Sequence, residues 1–272
     1  ANGSAVFNVA SAGLATVGVT ATEADNDIQP EGTTGNDAFV LTYSASSVAV
    51  TVGVTSLGTF PLDATLTLYG LGGTDSVKIV GTSGSDVIQV SSSGLQVNGS
   101  TLILDSTESL LLVGGAGNDI YRFDADSALG LISLDEVGGG TDTLDFSLTD
   151  TAAVAINLAR ATDQIVNPNL SLNLKSGGTF ENVTGGSAND TITGNTLDNV
   201  LHGGAGNDSL TGGGGNDTLE GGAGNDIYRF NADTSPGSDT LTDSVGTETI
   251  SFVGTAANVI FSLGLATPQS VN

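Results

Sequence analysis

The sequence predicts an all-β fold whose centre, from residue 185 to 230, is a solenoid of short parallel strands. Three observations carry this expectation. Five nonapeptides run in strict register from Gly185 to Arg229: GGSANDTIT, GNTLDNVLH, GGAGNDSLT, GGGGNDTLE and GGAGNDIYR, with Phe230 following. Helical periodicity is nearly absent, and valine, threonine, leucine and glycine dominate, a composition of strands and tight turns. The chain has 30 acidic and only 5 basic residues, yet 38% of it is apolar, which a disordered acidic tail is not.

Within each nonapeptide the first six positions hold glycines and an Asn-Asp pair, residues that accept positive φ and tight curvature, so they form a turn. The last three positions read x-U-x, with Ile192, Leu201, Leu210, Leu219 and Tyr228 at U. A three-residue strand points only its middle side chain inward, so U is the core. Two nonapeptides then close one flattened coil, and residues two repeats apart stack at strand spacing, about 4.8 Å. Asp190, Asp208 and Asp226 line one edge of the stack, and Asn199 and Asp217 the other. Carboxylates that close repel one another, so a cation belongs between them. Carboxylate and exposed turn carbonyls are hard oxygen ligands that suit calcium, and with no cysteine and one histidine there is little for a soft metal to use.

The template GGxGxDxUx resembles the RTX, or hemolysin-type, calcium-binding nonapeptide repeat. The resemblance implies a parallel β-roll in which the sixth-position Asp and turn carbonyls of one coil bind Ca2+ jointly with those of the next. Carried over residue by residue, it assigns metal binding to Gly185, Gly186, Asn189 and Asp190 in the first repeat, and to Gly203, Gly204, Gly206 and Asp208 in the third. It assigns the same role to Gly212, Gly213, Gly215 and Asp217, to Gly221, Gly222, Gly224 and Asp226, and to Asp119 in the upstream copy GGAGNDIYRF. Asp190 with Asp208, and Asp208 with Asp226, are the best pairs. Ala188 replaces the fourth glycine of the first repeat, while the second has Asn195, Leu197 and Asn199 for glycine, glycine and aspartate, with Asp198 one position early. A poorer site is therefore expected between Asn199 and Asp217.

In chain order, residues 1–31 read as the end of a preceding extracellular β domain or a linker, with an alternating strand at Ala15 to Thr20. Residues 32–130 read as a β-rich segment with degenerate RTX-like turns: GTTGNDAFV (32–40) and GTSGSDVIQ (81–89) each open an excursion of strands that returns through 66–79 and 110–123. Residues 131–184 are a β-rich connection, opening with GGGTDTLDFS at 138–147 and returning through Glu181 to Thr184, with a short helical turn expected within Ala152 to Ala161. The roll occupies 185–230. Residues 231–272 form a capping β segment, because an open last coil is an exposed strand edge.

Asp supplies 23 of the 30 acids, a bias that ligand turns need and a generic surface does not. A net charge of -25 argues against nucleic acid and an anionic membrane as direct partners, and no stretch approaches the roughly eighteen apolar residues of a membrane span, which argues against direct membrane insertion. One histidine, His202, excludes a paired-histidine zinc protease, and the absence of tryptophan argues against a sugar-binding cleft. The expected function is therefore non-enzymatic: a calcium-binding structural module of a secreted or cell-surface bacterial protein of adhesin type, folding on calcium outside the cell. Calcium ions and neighbouring domains of the same large protein are its expected partners. The alternative is the accessory module of a secreted RTX enzyme such as a protease, lipase or epimerase.

Overall fold

The computed structural model describes residues 5–8, 28–31, 35–62, 66–69, 73–105, 107–175, 179–231, 237–243 and 245–252. The strand expected at Ala15 to Thr20, the opening of the GTTGNDAFV turn at 32–34 and the end of the capping segment from 253 lie outside them. Among the described residues the chain is all-β: every regular element is a strand and none is a helix. The chain divides into two compact units, one of Ala1–Tyr121 with Leu131–Gly140, the other of Arg122–Gly130 with Thr141–Asn272.

In the first unit the strands Ala38–Tyr43, Ser76–Val80 and Ser109–Val113 stack in parallel, with Ala38 opposite Ser76 and Ser109 opposite Ser76, and Gly130–Leu134 continues the ladder. Each expected excursion is a three-stranded antiparallel meander. One runs Ala38–Tyr43, Ser47–Val52, Thr55–Pro61, and the other Val87–Ser91, Gly94–Val97, Ser100–Asp105. Alternation follows from the pleat: Phe39, Leu41, Val77 and Ile79 face inward and are buried, while their sequence neighbours are not.

The second unit holds the roll. Its first face is the parallel ladder Thr143–Asp145, Asn182–Thr184, Val200–Ala205, Thr218–Ala223, Thr240–Thr242. Its second face is Ala155–Asn157, Thr191–Thr193, Ser209–Thr211, Ile227–Arg229, Thr249–Ser251. Ile192, Leu201, Leu210 and Leu219 are fully buried and Tyr228 nearly so, one inward side chain per strand. Each of these strands contributes little apolar area, so the roll depends on stacking with its neighbours, as solenoids do.

Three features differ from the sequence expectation. Ala152 to Ala161 makes no helical turn: Ala155–Asn157 pairs with Thr191–Thr193, and Val154, Ile156 and Leu158 are buried at every second position. The apolar face there has period two, and packing overrides the helix preference of the alanines. On the first face, Val200–Ala205 and Thr218–Ala223 run three residues past x-U-x, with Gly204 opposite Gly222. The capping segment is itself a further coil, whose strands Thr240–Thr242 and Thr249–Ser251 extend both ladders.

Candidate metal centre

The turns are built from two opposed hydrogen-bond ladders. Along the first edge the sixth-position carboxylate reaches back one coil: Asp208 Oδ1 accepts the Asp190 N–H, and Asp226 Oδ1 accepts the Asp208 N–H, both at 2.7 Å. Asp190 Oδ1 accepts the Val154 N–H at 2.7 Å. On the other edge Asp217 Oδ1 accepts the Asn199 N–H at 2.8 Å. Fifth-position side chains reach forward instead: Asn189, Asn207 and Asp198 accept the N–H groups of Asn207, Asn225 and Asn216, each at 2.7 Å. The Asn-Asp pair therefore satisfies turn N–H groups of the coils before and after it, which explains its recurrence.

The second carboxylate oxygens are where the repeats part company. Oδ2 of Asp208, Asp217 and Asp226 is buried and has no hydrogen-bond partner. Each folds over the first glycine of its own repeat, so that a Cβ at Gly203, Gly212 or Gly221 would lie 2.1 to 2.3 Å from it. In these turns the second and fourth glycines are left-handed: Gly204 and Gly206 (φ 109° and 106°), Gly213 and Gly215 (106° and 111°), Gly222 and Gly224 (105° and 145°). In the first repeat neither Gly186 nor Ala188 has positive φ, and the Gly186 N–H donates to Asp190 Oδ2 at 2.7 Å. Gly185 and Asn189 belong to that same turn.

The second repeat replaces carboxylate with amide. Asn199 Nδ2 donates to the Glu181 carbonyl at 2.9 Å, and Asn195 Nδ2 to the Phe180 carbonyl at 2.7 Å. Amide N–H groups thus take turn carbonyls that a cation would otherwise need, and Asp198 performs the fifth-position role. The substitutions form a self-satisfied polar turn, and the repeat is not simply a decayed copy.

Electrostatics isolates the same acids. Burial, reinforced by Asp190 and Asp226 on either side, pushes the Asp208 carboxyl up to about 7 against the Asp190 N–H that favours its charge. Burial also raises Asp217 to about 6, with Asp239 and Asp198 adding to it, and raises Asp190 and Asp226 above the ordinary carboxylate range. Ion pairs among the described residues are Arg122 with Asp145 and His202 with Glu220, so no cationic side chain serves the column. His202 sits half exposed at the surface, 2.8 Å from Glu220. Partnerless buried oxygens on hard ligands, with no cationic neighbour, fit a calcium ion.

In the first unit Asp119 repeats this construction. Its Oδ1 accepts the Asp86 N–H at 2.8 Å, and Gly115 and Gly117 before it are left-handed (106° and 116°). Acids that the nonapeptide register did not single out join the ladders: Asp239 Oδ1 accepts the Asp217 N–H at 2.9 Å, Glu248 Oε2 the Asp226 N–H at 2.7 Å, and Asp75 Oδ1 the Asp37 N–H at 2.8 Å. Their signal was present as Gly-(Ser/Thr/Asn)-(Asp/Glu) at 35–37, 73–75, 237–239 and 246–248, the fourth to sixth positions of the template. Coil lengths of 22 and 38 residues there hid it from a nine-residue period.

Residues 111–127, 176–196 and 193–228 match the family of RTX calcium-binding nonapeptide repeats, in four copies. No curated protein matched the chain in sequence.

Proposed function

We propose that this chain, which carries RTX calcium-binding repeats, is a structural module of a secreted or cell-surface protein that completes its fold when it meets calcium outside the cell. The observation that carries the reading is the set of partnerless buried oxygens on Asp208, Asp217 and Asp226, beneath left-handed glycine turns. Asp208 and Asp226, stacked on one edge, hold the best-formed site together with carbonyl oxygens of 203–206 and 221–224. Asp190 adds a weaker contribution with Gly185, Gly186 and Asn189, and Asp217 with Gly212, Gly213 and Gly215 makes the site of the opposite edge. Asp119 supplies the corresponding ligand in the first unit.

Bound calcium neutralises the carboxylate column and occupies oxygens that nothing else reaches. Since each U residue alone buries little area, removal of the ion leaves repulsion opposed by weak local cores, and the roll unfolds. Extracellular calcium modules work at Kd of about 10⁻⁴ to 10⁻³ M, above the calcium level inside a cell, so folding follows export. Neighbouring domains of the same protein are the natural mechanical partners of such a module. The test is far-UV circular dichroism across a free-calcium titration. Strand signal should rise cooperatively with a midpoint near 10⁻⁴ to 10⁻³ M, with magnesium a poor substitute. Unchanged strand signal in excess chelator refutes calcium-driven folding, and a midpoint below about a micromolar removes the coupling to export.

A further inference from the structure

At the end of the roll a third acid, Asp243, joins the carboxylate ladder of the turns. Asp226, Asp243 and Glu248 each place a carboxylate oxygen within 4.8 Å of the other two. Asp226 comes from the last nonapeptide and Asp243 and Glu248 from the closing coil, and backbone or hydroxyl donors aim each of them. Glu248 Oε2 accepts the Asp226 N–H at 2.7 Å. Asp243 Oδ1 accepts the Val245 N–H at 3.2 Å, and its Oδ2 accepts the Tyr228 hydroxyl at 2.8 Å. Asp226 Oδ1 accepts the Asp208 N–H, while its Oδ2 is fully buried without a partner. That oxygen lies against Gly221, whose N–H donates to the same Tyr228 hydroxyl. No ion pair among the described residues involves any of the three acids.

The arrangement is encoded twice. In the first unit the Gly114 N–H donates to the Tyr121 hydroxyl, which donates to Glu136 Oε2. In both copies of GGAGNDIYRF the acid that receives the tyrosine proton lies 15 residues beyond it.

We propose that Asp226, Asp243 and Glu248 form a hard divalent-cation site, with calcium as its ion, that clamps the closing coil onto the last nonapeptide. Three convergent carboxylates, one with a buried oxygen that nothing else satisfies, are the ligand chemistry of calcium and not of a soft metal. The ion neutralises charge that the coil would otherwise bring together unopposed, and it ties 243–248 to Asp226 where the ladders end. The site rests on the reading of the roll as calcium-binding and adds an ion that Asp243 and Glu248, outside the nonapeptides, share with Asp226.

The experiment is calcium stoichiometry by isothermal titration on the full chain, wild type against the double variant Asp243→Asn with Glu248→Gln. The variant should bind one calcium fewer and keep the calcium-dependent strand signal of the nonapeptides. Equal stoichiometry overturns the clamp and leaves a proton shared between carboxyl groups as the account of the cluster. A wild type that binds no calcium overturns the calcium reading of the whole roll, so the two failures are distinguishable. Terbium gives a second readout if the double variant folds poorly. The chain has no tryptophan, and the Tyr228 hydroxyl lies 2.8 Å from Asp243 Oδ2, so terbium in the clamp is excited through Tyr228. Tyr228→Phe should lower tyrosine-excited terbium emission with the calcium count unchanged; full emission from that variant overturns the proposal.

Discussion

Replacing Asp208 by asparagine should change the stability of the roll in opposite directions with and without calcium. Asp208 is 1% exposed, its Oδ1 accepts the Asp190 N–H, and its Oδ2 has no partner. Asparagine keeps the first oxygen and removes the charge, as Asn199 already does on the other edge, where its amide is fully used. Without calcium, burial and the flanking acids hold the Asp208 carboxyl at about 7 against an unfolded value near 4. At pH 8 the folded state therefore bears a penalty for its ionised form of up to roughly 4 kcal/mol, taking about 1.4 kcal/mol per pH unit. Removing it should stabilise the chelated protein by about 2 to 4 kcal/mol. With calcium at tenfold excess over Kd, each independent ion adds roughly 1.4 kcal/mol. Asp208 lies between Asp190 and Asp226, so the variant weakens two sites and forfeits roughly 3 kcal/mol of calcium stabilisation. Strand signal by circular dichroism in chelator and thermal unfolding in millimolar calcium read the two arms. Shifts in the same direction would refute a column of carboxylates that destabilises the roll until an ion arrives.

Four further outcomes follow from the same geometry. Asp208 and Asp217 titrate at about 7 and about 6 in the folded calcium-free roll, above their unfolded range near 4. The folded state then holds more protons across pH 4 to 7, so its stability is greatest in acid and falls as pH rises through that window; strand signal in chelator that is no greater at pH 4.5 than at pH 8 contradicts this. Leu210→Ala empties the only inward position of its strand and should cost about 2 to 5 kcal/mol, moving the calcium midpoint of folding upward. Gly206→Ala demands a methyl 2.5 Å from the Ala188 carbonyl at φ 106° and should prevent closure of that turn, whereas Gly84→Ala, with nothing nearer than 3.8 Å, should leave melting unchanged. Asn199→Ala leaves the buried Asn195 N–H without its acceptor and should lower stability by about 1 to 3 kcal/mol with no loss of calcium stoichiometry by titration calorimetry.

How far each part could be read depended on whether its signal was local. The nonapeptides fold at constant spacing, so their core residues and stacked acids follow from counting, and the register of Thr191 against Ser209 and of Val200 against Thr218 agrees with that count. The coil formed by 237–252 was read only as a cap, because its 22-residue spacing breaks the period although its Gly-Ser-Asp and Gly-Thr-Glu turns keep the template. The strand Ala155–Asn157 looked helical because Ala152, Ala153, Ala159 and Ala161 flank it, and the alternation of Val154, Ile156 and Leu158 carried the better signal.

By itself the sequence determined the all-β class, the two-repeat coil, the inward U residues and calcium as the ion, because each follows from residue type at a fixed short period. Only the tertiary structure decided which carboxylates retain a free oxygen. Asp190 and Asp208 occupy the same template position, yet the Gly186 N–H satisfies one while the other remains bare. That difference depends on turn backbone and on the neighbouring coil, where left-handed glycines withhold their N–H groups. Likewise the convergence of Asp226, Asp243 and Glu248 arises where the ladders end, since only stacking brings residues 17 to 22 positions apart into one coordination distance.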